Sequence, residues 1–255
     1  MKTQDLKGTL TEYVKELAEA TDAAKLTEVM QNYLEMCAKL HKYSPQNMLL
    51  IFTAKPDATM VAGYTKWPSM GRYVRKGEKG IPILAPLIVK QKDKVDEKAL
   101  IGFKVVYVFD QSQTEGEDIP EPAWKSLGQD KVLADKLVKF AEDNSITVQF
   151  KELPGDLQGY SAGGVIVISQ NAGTKTIIHE IAHELMHKQG MDRPTTKTLV
   201  ELEAEGVAYV VGRHFGLADL ESPNYVALHG ATSEMIMEHM ENIHAAATKI
   251  ISAIE

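Results

Sequence analysis

The segment TKTIIHEIAHELMHK, residues 174–188, constrains the chain most, because it combines a helical apolar period with a metal-ligand spacing. Its apolar residues recur every three or four positions, which predicts an amphipathic helix. On a helix, residues four apart differ by about 40° in rotation and about 6 Å in rise, so His179 and His183 leave the same face and can share one metal ion. Glu180 reaches the edge of that face, where a carboxylate can take a proton from a water at the metal.

A metal site of this kind needs a third protein ligand, and the next predicted helix, Lys197 to Phe215, carries three glutamates. Glu201 and Glu205 are four residues apart and share a face, whereas Glu203 points elsewhere and is expected to be solvated. The HExxH segment followed by ELEAE resembles the glutamate class of zincins, whose ligand glutamate precedes by four residues an acidic residue that hydrogen-bonds a ligand histidine. The resemblance implies that Glu201 is the third ligand and that Glu205 orients a histidine ring.

The remaining potential ligands narrow the choice of metal. The one cysteine, Cys37, excludes an internal disulfide and a thiolate-rich zinc cluster. His187, eight residues after His179, lies about 80° further round the helix and is expected to be structural. Two histidines and one carboxylate favour Zn2+, at one ion per chain.

The net charge of −7 conceals a split between the two halves of the chain. Residues 1–104 carry 17 Lys and Arg against 12 Asp and Glu, whereas residues 131–255 carry 10 against 17. A basic half followed by an acidic half indicates two modules with different partners. The apolar runs are much shorter than the ~20 residues of a bilayer span, and the first ten residues lack a signal-peptide apolar region, so we expect a cytoplasmic protein with no membrane partner.

Periodicity and punctuation predict an α+β protein of two domains. The first would hold two amphipathic helices in residues 1–42, a short helix capped by Ser44, and glycine-punctuated β segments from residue 60 onwards. The acidic, proline-bearing stretch at 114–122 is the best linker candidate. The second would be mostly helical with a small sheet: helices at 129–143, 174–188, 197–215 and 232–254, and strands at 146–151 and 165–169. We therefore expect domains at 1–125 and 126–255.

Ten basic and four acidic residues lie between positions 65 and 104, interleaved with Trp67, Tyr73 and Phe103. Cations that follow phosphates and rings that stack on unpaired bases are typical of a single-strand-binding surface. The alternative is that Trp67 and Phe103 are core residues and that the lysines form a solvated loop. The composition alone leaves both interpretations open.

Two blocks of the sequence resemble the ArdC-type antirestriction proteins. Residues 43–47 (YSPQN), 61–86 (VAGYTKWPSMGRYVRKGEKGIPILAP) and 103–109 resemble their N-terminal single-strand-binding domain, and HEIAHELMH with residues 201–217 resembles their zincin-like metallopeptidase domain. The resemblance implies a protein of a plasmid or conjugative element that binds single-stranded DNA and protects it from host restriction. The first and last thirty or so residues lie outside the clear match.

The resemblance also implies roles for individual residues. It assigns His179, His183 and Glu201 as metal ligands and Glu180 as the catalytic carboxylate. It implies DNA contacts from seven residues: Tyr43, Ser44, Asn47, Trp67, Arg72, Lys76 and Lys79.

Three functional hypotheses remain open at this stage. In the first, the protein protects single-stranded DNA and carries a peptidase-like domain. In the second, it only coats single strands, and zinc joins two helices. In the third, it is an active zinc metallopeptidase that cleaves a regulatory protein or peptide and uses its first domain for localisation. For an active peptidase, the candidates for the oxyanion donor are Tyr160, Tyr209 and His214.

Overall fold

The computed structural model describes residues 2–19, 23–90, 98–119, 131–187, 196–218, 220–228 and 231–255. Within those ranges the fold is α+β, as expected. The helices are α1 (Thr3–Ala18), α2 (Ala23–Leu40), α3 (Pro45–Ala54), α4 (Lys131–Asp143), α5 (Thr174–Met186), α6 (Lys197–Phe215) and α7 (Ser233–Ile254). The strands are β1 (Val61–Gly63), β2 (Arg72–Val74), β3 (Ile81–Lys90), β4 (Lys98–Asp110), β5 (Thr114–Gly116), β6 (Thr147–Lys151), β7 (Gly159–Ser161) and β8 (Val165–Ser169).

The chain divides into two compact units, and the division differs from the expected domains in the placement of α2. The first unit comprises Met1–Leu17 and Tyr43–Pro120, and the second comprises Ala18–Lys42 and Glu121–Glu255. Helix α2 belongs to the second unit, where the buried Tyr33 hydroxyl donates to the carbonyl of Met240 at 3.2 Å. The apolar period of α2 revealed that the helix has a buried face but not which partner covers it.

The first unit places two helices against a small antiparallel sheet. Strands β1, β4 and β3 pair in that order, and β2 pairs with β5. Leu6 of α1, Leu50 of α3 and Leu84 of β3 form its buried apolar cluster. Ser44 caps α3 by accepting from the backbone NH of Asn47 at 3.3 Å, and Pro45 occupies the first turn, as the sequence predicts.

The second unit sets helices beside a three-stranded sheet of order β6-β8-β7. Strand β8 is parallel to β6 and antiparallel to β7, and α5 follows β8 after a short connection. Helices α6 and α7 approach closely at Gly206, where an added Cβ would lie 2.8 Å from Cδ1 of Ile243. The absence of a side chain at this position therefore permits the close packing of the two helices.

The predicted elements of the second unit are confirmed for α4, α5, α6, α7, β6 and β8. Strand β7 was not predicted as a strand. The hairpin turn expected at residues 91–97 and the last part of the expected linker lie outside the described residues. In the part of the chain that the structure describes, no helix is long and apolar enough to cross a membrane.

Candidate metal centre and nucleic-acid surface

The three predicted ligands meet between α5 and α6. Nε2 of His183 lies 3.0 Å from Nε2 of His179, and Oε2 of Glu201 lies 3.5 Å from each of these nitrogens. Ligands of a tetrahedral zinc ion bound at 2.0–2.1 Å are separated by about 3.3 Å. The donor set and its spacing therefore fit one divalent cation.

Glu205 holds the opposite nitrogen of His179. Its Oε1 lies 3.1 Å from Nδ1 of His179, and its Oε2 lies 2.7 Å from Nζ of Lys175. The hydrogen bond with His179, followed by that with Lys175, lowers the pKa of Glu205 to about 2 despite its burial. A permanently ionised carboxylate at Nδ1 favours the tautomer in which Nε2 of His179 faces the ligand cluster.

The two ligand histidines have different electrostatic surroundings. Burial lowers the pKa of His179, but the hydrogen bond with Glu205 and the charges of nearby glutamates outweigh it, so the net direction is upward. Burial, followed by the charge of His179, lowers the pKa of His183 to about 4. The His183 imidazole is therefore neutral at pH 7, the form in which histidine binds a metal.

A buried chain of side chains extends from His183 into the helical core. Nδ1 of His183 lies 3.3 Å from Nδ1 of His187, whose Nε2 lies 2.8 Å from Oε2 of Glu203. Oε1 of Glu203 lies 2.5 Å from Nδ1 of His239. Glu203 is only 1% exposed, so the expectation that it is solvated is wrong. The geometry of α6 alone correctly placed Glu203 away from the face that carries Glu201 and Glu205. It could not show that the face carrying Glu203 is also buried against other helices.

Glu180 lies beside the ligands without joining them. Burial raises its pKa to about 6, and the charges of Glu201 and Glu184 add to this effect while His179 opposes it. It lines a cleft of about 350 Å³ together with His179 and Glu205. A carboxylate with a raised pKa at the edge of a candidate metal site has the position and the proton affinity of a general base.

Strand β7 forms one side of the space around Glu180. A Cβ added to Gly159 would lie 3.1 Å from Oε1 of Glu180. Glu184, which the sequence analysis did not single out, fixes the adjacent turn by accepting from Oγ of Ser161 at 2.5 Å and from the NH of Gly164 at 2.6 Å. The sequence could have indicated this residue, because Glu184 lies four residues after Glu180 and therefore on the same side of α5.

Two of the three candidate oxyanion donors are engaged elsewhere. The Tyr209 hydroxyl donates to Glu35, and Nδ1 of His214 donates to the carbonyl of Ala38 at 2.7 Å. Tyr160 lies on β7 next to Gly159 and is 40% exposed. Neighbouring residues of a strand face opposite sides, and Gly159 faces Glu180, so the Tyr160 side chain faces away from Glu180.

Five of the residues expected to contact DNA have structural roles in the first unit. Trp67 is fully buried, and its indole NH lies 3.2 Å from the carbonyls of both Ala62 and Phe109. A ring enclosed in this way cannot stack on a base, so the predicted stacking role of Trp67 is wrong. The composition of the segment could not show which of its aromatic residues is enclosed.

The other four are held by backbone groups. The side-chain amide of the buried Asn47 donates to the carbonyl of Leu84 and accepts from its NH, both at 2.8 Å, which ties α3 to β3. The Tyr43 hydroxyl donates to the carbonyl of Val61 at 2.9 Å, and Ser44 is the cap of α3. The buried Arg72 guanidinium donates to Thr114 and to nearby carbonyls. Lys76 and Lys79, by contrast, are exposed.

A surface of which the sequence analysis identified only Phe103 contains most of the exposed rings of the first unit. Phe103, Tyr107 and Phe109 alternate along β4 and therefore share one face of the strand. The ring of Tyr64 lies 6.0 Å from that of Phe109 in an edge-to-face arrangement. Tyr64 is 62% and Tyr107 49% exposed. We call these four residues the aromatic row. The alternation of Phe103, Tyr107 and Phe109 within one predicted strand could have identified three of them from the sequence.

Comparison with known proteins relates the chain to antirestriction factors. The family model for the N-terminal domain of anti-restriction factor ArdC matches residues 4–124. An uncharacterized protein of Bacillus anthracis is 26% identical over 313 residues, covering 99% of this chain and 53% of that protein, so the chain spans about half the length of this curated relative.

Solved structures of similar proteins include two crystal structures of the antirestriction protein ArdC from plasmid R388. The metal-free structure has a TM-score of 0.48 at 16% identity, covering 83% of this chain and 85% of that one. The Mn(II)-bound structure has a TM-score of 0.47 at 16% identity, covering 87% and 97%.

Proposed function

Since the chain belongs to the ArdC-type antirestriction proteins through its residues 4–124, we propose that it binds single-stranded DNA on its first unit and protects that DNA from restriction. The observation that carries the proposal is the aromatic row: Tyr64, Phe103, Tyr107 and Phe109 along one face of β4 and its neighbour. Tyr64, Phe103 and Tyr107 are exposed, and exposed rings provide stacking partners for unpaired bases, whatever their sequence.

Cationic side chains near the row supply the complementary contact to phosphate. Nζ of Lys7 lies 5.1 Å from the ring centroid of Phe103, at one end of the row. Lys66, Lys76 and Lys79 are exposed in the segments that connect β1, β2 and β3. Lysines that neutralise phosphates release counterions, so affinity for DNA should fall steeply as the salt concentration rises.

The proposal is tested by fluorescence anisotropy with the full chain and a labelled single-stranded oligonucleotide of mixed sequence. Tyr107→Ala should weaken binding by about 1–3 kcal/mol, since one stacking partner is lost. Phe150→Ala is the matched control, because Phe150 is equally exposed at 50% but lies on β6 of the second unit. An equal loss of affinity in Tyr107→Ala and Phe150→Ala would contradict the aromatic row as the binding surface. Equal affinity for duplex and single-stranded DNA would contradict it as well.

A second candidate function, hydrolysis of a peptide bond, is favoured by one specific observation in the second unit. Glu180, with a pKa raised to about 6, lies beside three residues whose ligand atoms are all within 4.8 Å of one another. We propose that His179, His183 and Glu201 would hold Zn2+. A zinc ion there would supply Lewis-acid polarisation of the substrate carbonyl and lower the pKa of the attacking water.

The residues of the chain have distinct parts in this proposed hydrolysis. Glu180 accepts the proton of the attacking water and returns it to the leaving amine. Glu205 holds His179 through Nδ1, and the cleft of about 350 Å³ that Gly159 and Glu180 line would receive the substrate.

The test of the second candidate is cleavage of a fluorogenic peptide library by the zinc-loaded full chain. Activity should disappear in the presence of a chelator and return when Zn2+ is restored. Activity that Glu180→Gln retains at the wild-type level would exclude this mechanism, because the variant lacks the general base.

A further inference from the structure

A second cluster of potential metal ligands lies in the second unit at a different place from the candidate metal centre. It consists of His41, which follows α2, His214 in the last turn of α6, and Glu255, which follows α7. One ligand atom from each lies within 4.8 Å of the others. Oε1 of Glu255 is 3.2 Å from Nε2 of His214 and 3.6 Å from Nε2 of His41. These separations bracket the roughly 3.3 Å expected between ligands of a tetrahedral zinc ion.

The tautomer of His214 directs a lone pair into this cluster. Nδ1 of His214 lies 2.7 Å from the carbonyl oxygen of Ala38, and since a carbonyl can only accept, Nδ1 carries the proton. In the neutral ring Nε2 is therefore an acceptor, and it faces a carboxylate oxygen that is also an acceptor. Two acceptors at that distance repel each other, so this position requires either a second proton on His214 or a bound cation. A histidine that donates its second nitrogen to a backbone carbonyl is the usual arrangement of a metal ligand.

His41 supports the same conclusion independently. Its side chain is 5% exposed, and within the described residues neither ring nitrogen makes a hydrogen bond. Its position is nevertheless fixed, because its carbonyl accepts from Nε2 of His244 at 2.9 Å and from Oγ1 of Thr248 at 3.2 Å. A buried, oriented imidazole without hydrogen bonds is costly to the fold, so it points to an absent partner.

The relative orientation of the two rings also suits a shared ion. The rings of His41 and His214 are nearly perpendicular, at 85°, with centroids 4.9 Å apart.

We propose that His41, His214 and Glu255 form a second, structural zinc site that fastens the ends of α2, α6 and α7 to one another. Lys42 holds the remaining oxygen of Glu255, with Nζ 3.2 Å from Oε2, and so turns Oε1 towards the imidazoles. The site is more enclosed than the first, since its histidines are 5% and 3% exposed against 15% and 13% for His179 and His183. The burial of both histidines leaves little room for a substrate, so we assign the ion a structural role.

The experiment measures zinc per chain after the full-length protein has been stripped with a chelator, reloaded with Zn2+ and desalted. The double variant His179→Ala/His183→Ala removes the first site, so it should retain one equivalent if the second site exists. Adding His41→Ala to this background should abolish that equivalent. Glu255→Gln is a milder alternative, since its side chain is 19% exposed, and it should weaken zinc binding by at least tenfold. Glu241→Gln, on the exposed side of α7, should change nothing.

Two further readouts separate binding from folding. Zinc should raise the melting temperature of the His179→Ala/His183→Ala variant, and His41→Ala should abolish that rise while the far-ultraviolet circular dichroism stays unchanged. Co2+ in place of Zn2+ should give the visible absorption of a tetrahedral site in the same variant. A folded His179→Ala/His183→Ala protein that takes up no zinc would overturn the proposal. If the wild-type protein bound one equivalent of zinc, and if that zinc were lost in His41→Ala but retained in His179→Ala/His183→Ala, the result would support this site and exclude the first site.

Discussion

Oε1 of Glu205 lies 3.1 Å from Nδ1 of His179, on the side of the ring opposite the ligand cluster. The same carboxylate is bound to Lys175 at 2.7 Å, so its position is fixed from two directions. A carboxylate that orients a ligand histidine and increases its basicity strengthens the bond from histidine to metal. The metal affinity of the candidate centre should therefore depend on a residue that does not itself belong to the ligand cluster.

Glu205→Gln should lower the affinity of the first site for Zn2+ by about 10- to 100-fold, because an amide holds the ring less firmly and adds no negative charge. The measurement is competition with a zinc chelator in a His41→Ala background, which leaves the first site alone. Glu152→Gln, an exposed change in the second unit, is the control. An unchanged affinity in Glu205→Gln would show that Lys175, and not His179, is the functional partner of this carboxylate.

The second prediction concerns the buried Glu203. Its two oxygens lie 2.8 Å from Nε2 of His187 and 2.5 Å from Nδ1 of His239, and its side chain is 1% exposed. Glu203→Ala should lower the free energy of unfolding by about 3–5 kcal/mol, the typical cost of removing one member of a buried charged network. The measurement is urea denaturation in excess chelator, so that metal binding does not contribute.

Glu201→Ala provides the matched comparison for Glu203→Ala. Both residues lie on α6, two positions apart, but the side chain of Glu201 is 49% exposed. In chelator its replacement should change stability by less than about 1 kcal/mol, the range of an exposed ion pair. Similar losses of unfolding free energy in the two variants would mean that the burial of Glu203 does not determine how much it contributes to stability.

Glu201 and Glu203 show which contacts of α6 could be predicted from the sequence and which could not. The HExxH spacing and the helical apolar period predicted α5, α6 and the proximity of His179 to His183, because each relationship depends on residues within one helix. The choice of Glu201 came from the resemblance to zincins, and the structure brings it to the two histidines. The burial of Glu203 depends on α7, which lies more than twenty residues further along the chain. No local pattern in α6 distinguishes a glutamate that faces solvent from one that faces a distant histidine.

The placement of helix α2 in the second unit likewise depends on contacts that are distant in sequence. Its apolar stripe was evident, and proximity in sequence suggested that it would pack with the N-terminal segment. The contacts that place it in the second unit are instead specific and distant, among them Glu35 with Tyr209 and Arg213. The electrostatic part of this attachment can be measured.

The third prediction is a pH dependence that originates at Glu35. Burial raises the pKa of this carboxyl, but hydrogen bonds from Tyr209 and Arg213 and the charge of Arg213 lower it more, so the net direction is downward. Because the pKa is lower in the folded than in the unfolded chain, the stabilisation is complete above the unfolded value of about 4.3 and is lost as the pH falls through the folded value.

Glu35→Gln should therefore reduce stability at pH 7, by about 1–3 kcal/mol as for a hydrogen bond to a charged group, and reduce it less at pH 3. The measurement is the urea midpoint from pH 7 down to pH 3. Glu28→Gln, an exposed change on the same helix, should follow the wild type at every pH. A constant difference between Glu35→Gln and wild type across this range would show that the attachment of α2 is not electrostatic.

The fourth prediction separates the buried Trp67 from the aromatic row. Because Trp67 is fully buried, Trp67→Ala should destabilise the first unit by about 3–5 kcal/mol through the cavity that it creates. Trp67→Phe fills most of that space and leaves the row intact, so it should bind single-stranded DNA with unchanged affinity. Loss of affinity in a folded Trp67→Phe protein would restore Trp67 to the binding surface.

The last prediction assigns hydrolysis and protection to different units. Glu180 is not among the three clustered ligands, so Glu180→Gln should keep the metal and the fold while a peptidase rate falls by about 10²- to 10⁴-fold, the usual contribution of a general base. Binding of single-stranded DNA should not change, because the aromatic row and its lysines lie in the first unit.

The protection of DNA from restriction endonucleases then distinguishes the two candidate functions. If protection results from coating the strand, Glu180→Gln should protect as well as wild type in a digestion assay, whereas Tyr107→Ala should protect less in proportion to its weaker binding. We favour this outcome because every exposed ring of the aromatic row lies before residue 110 and the ligand cluster after residue 178. Protection lost in Glu180→Gln at wild-type affinity for single strands would instead make proteolysis the protective step.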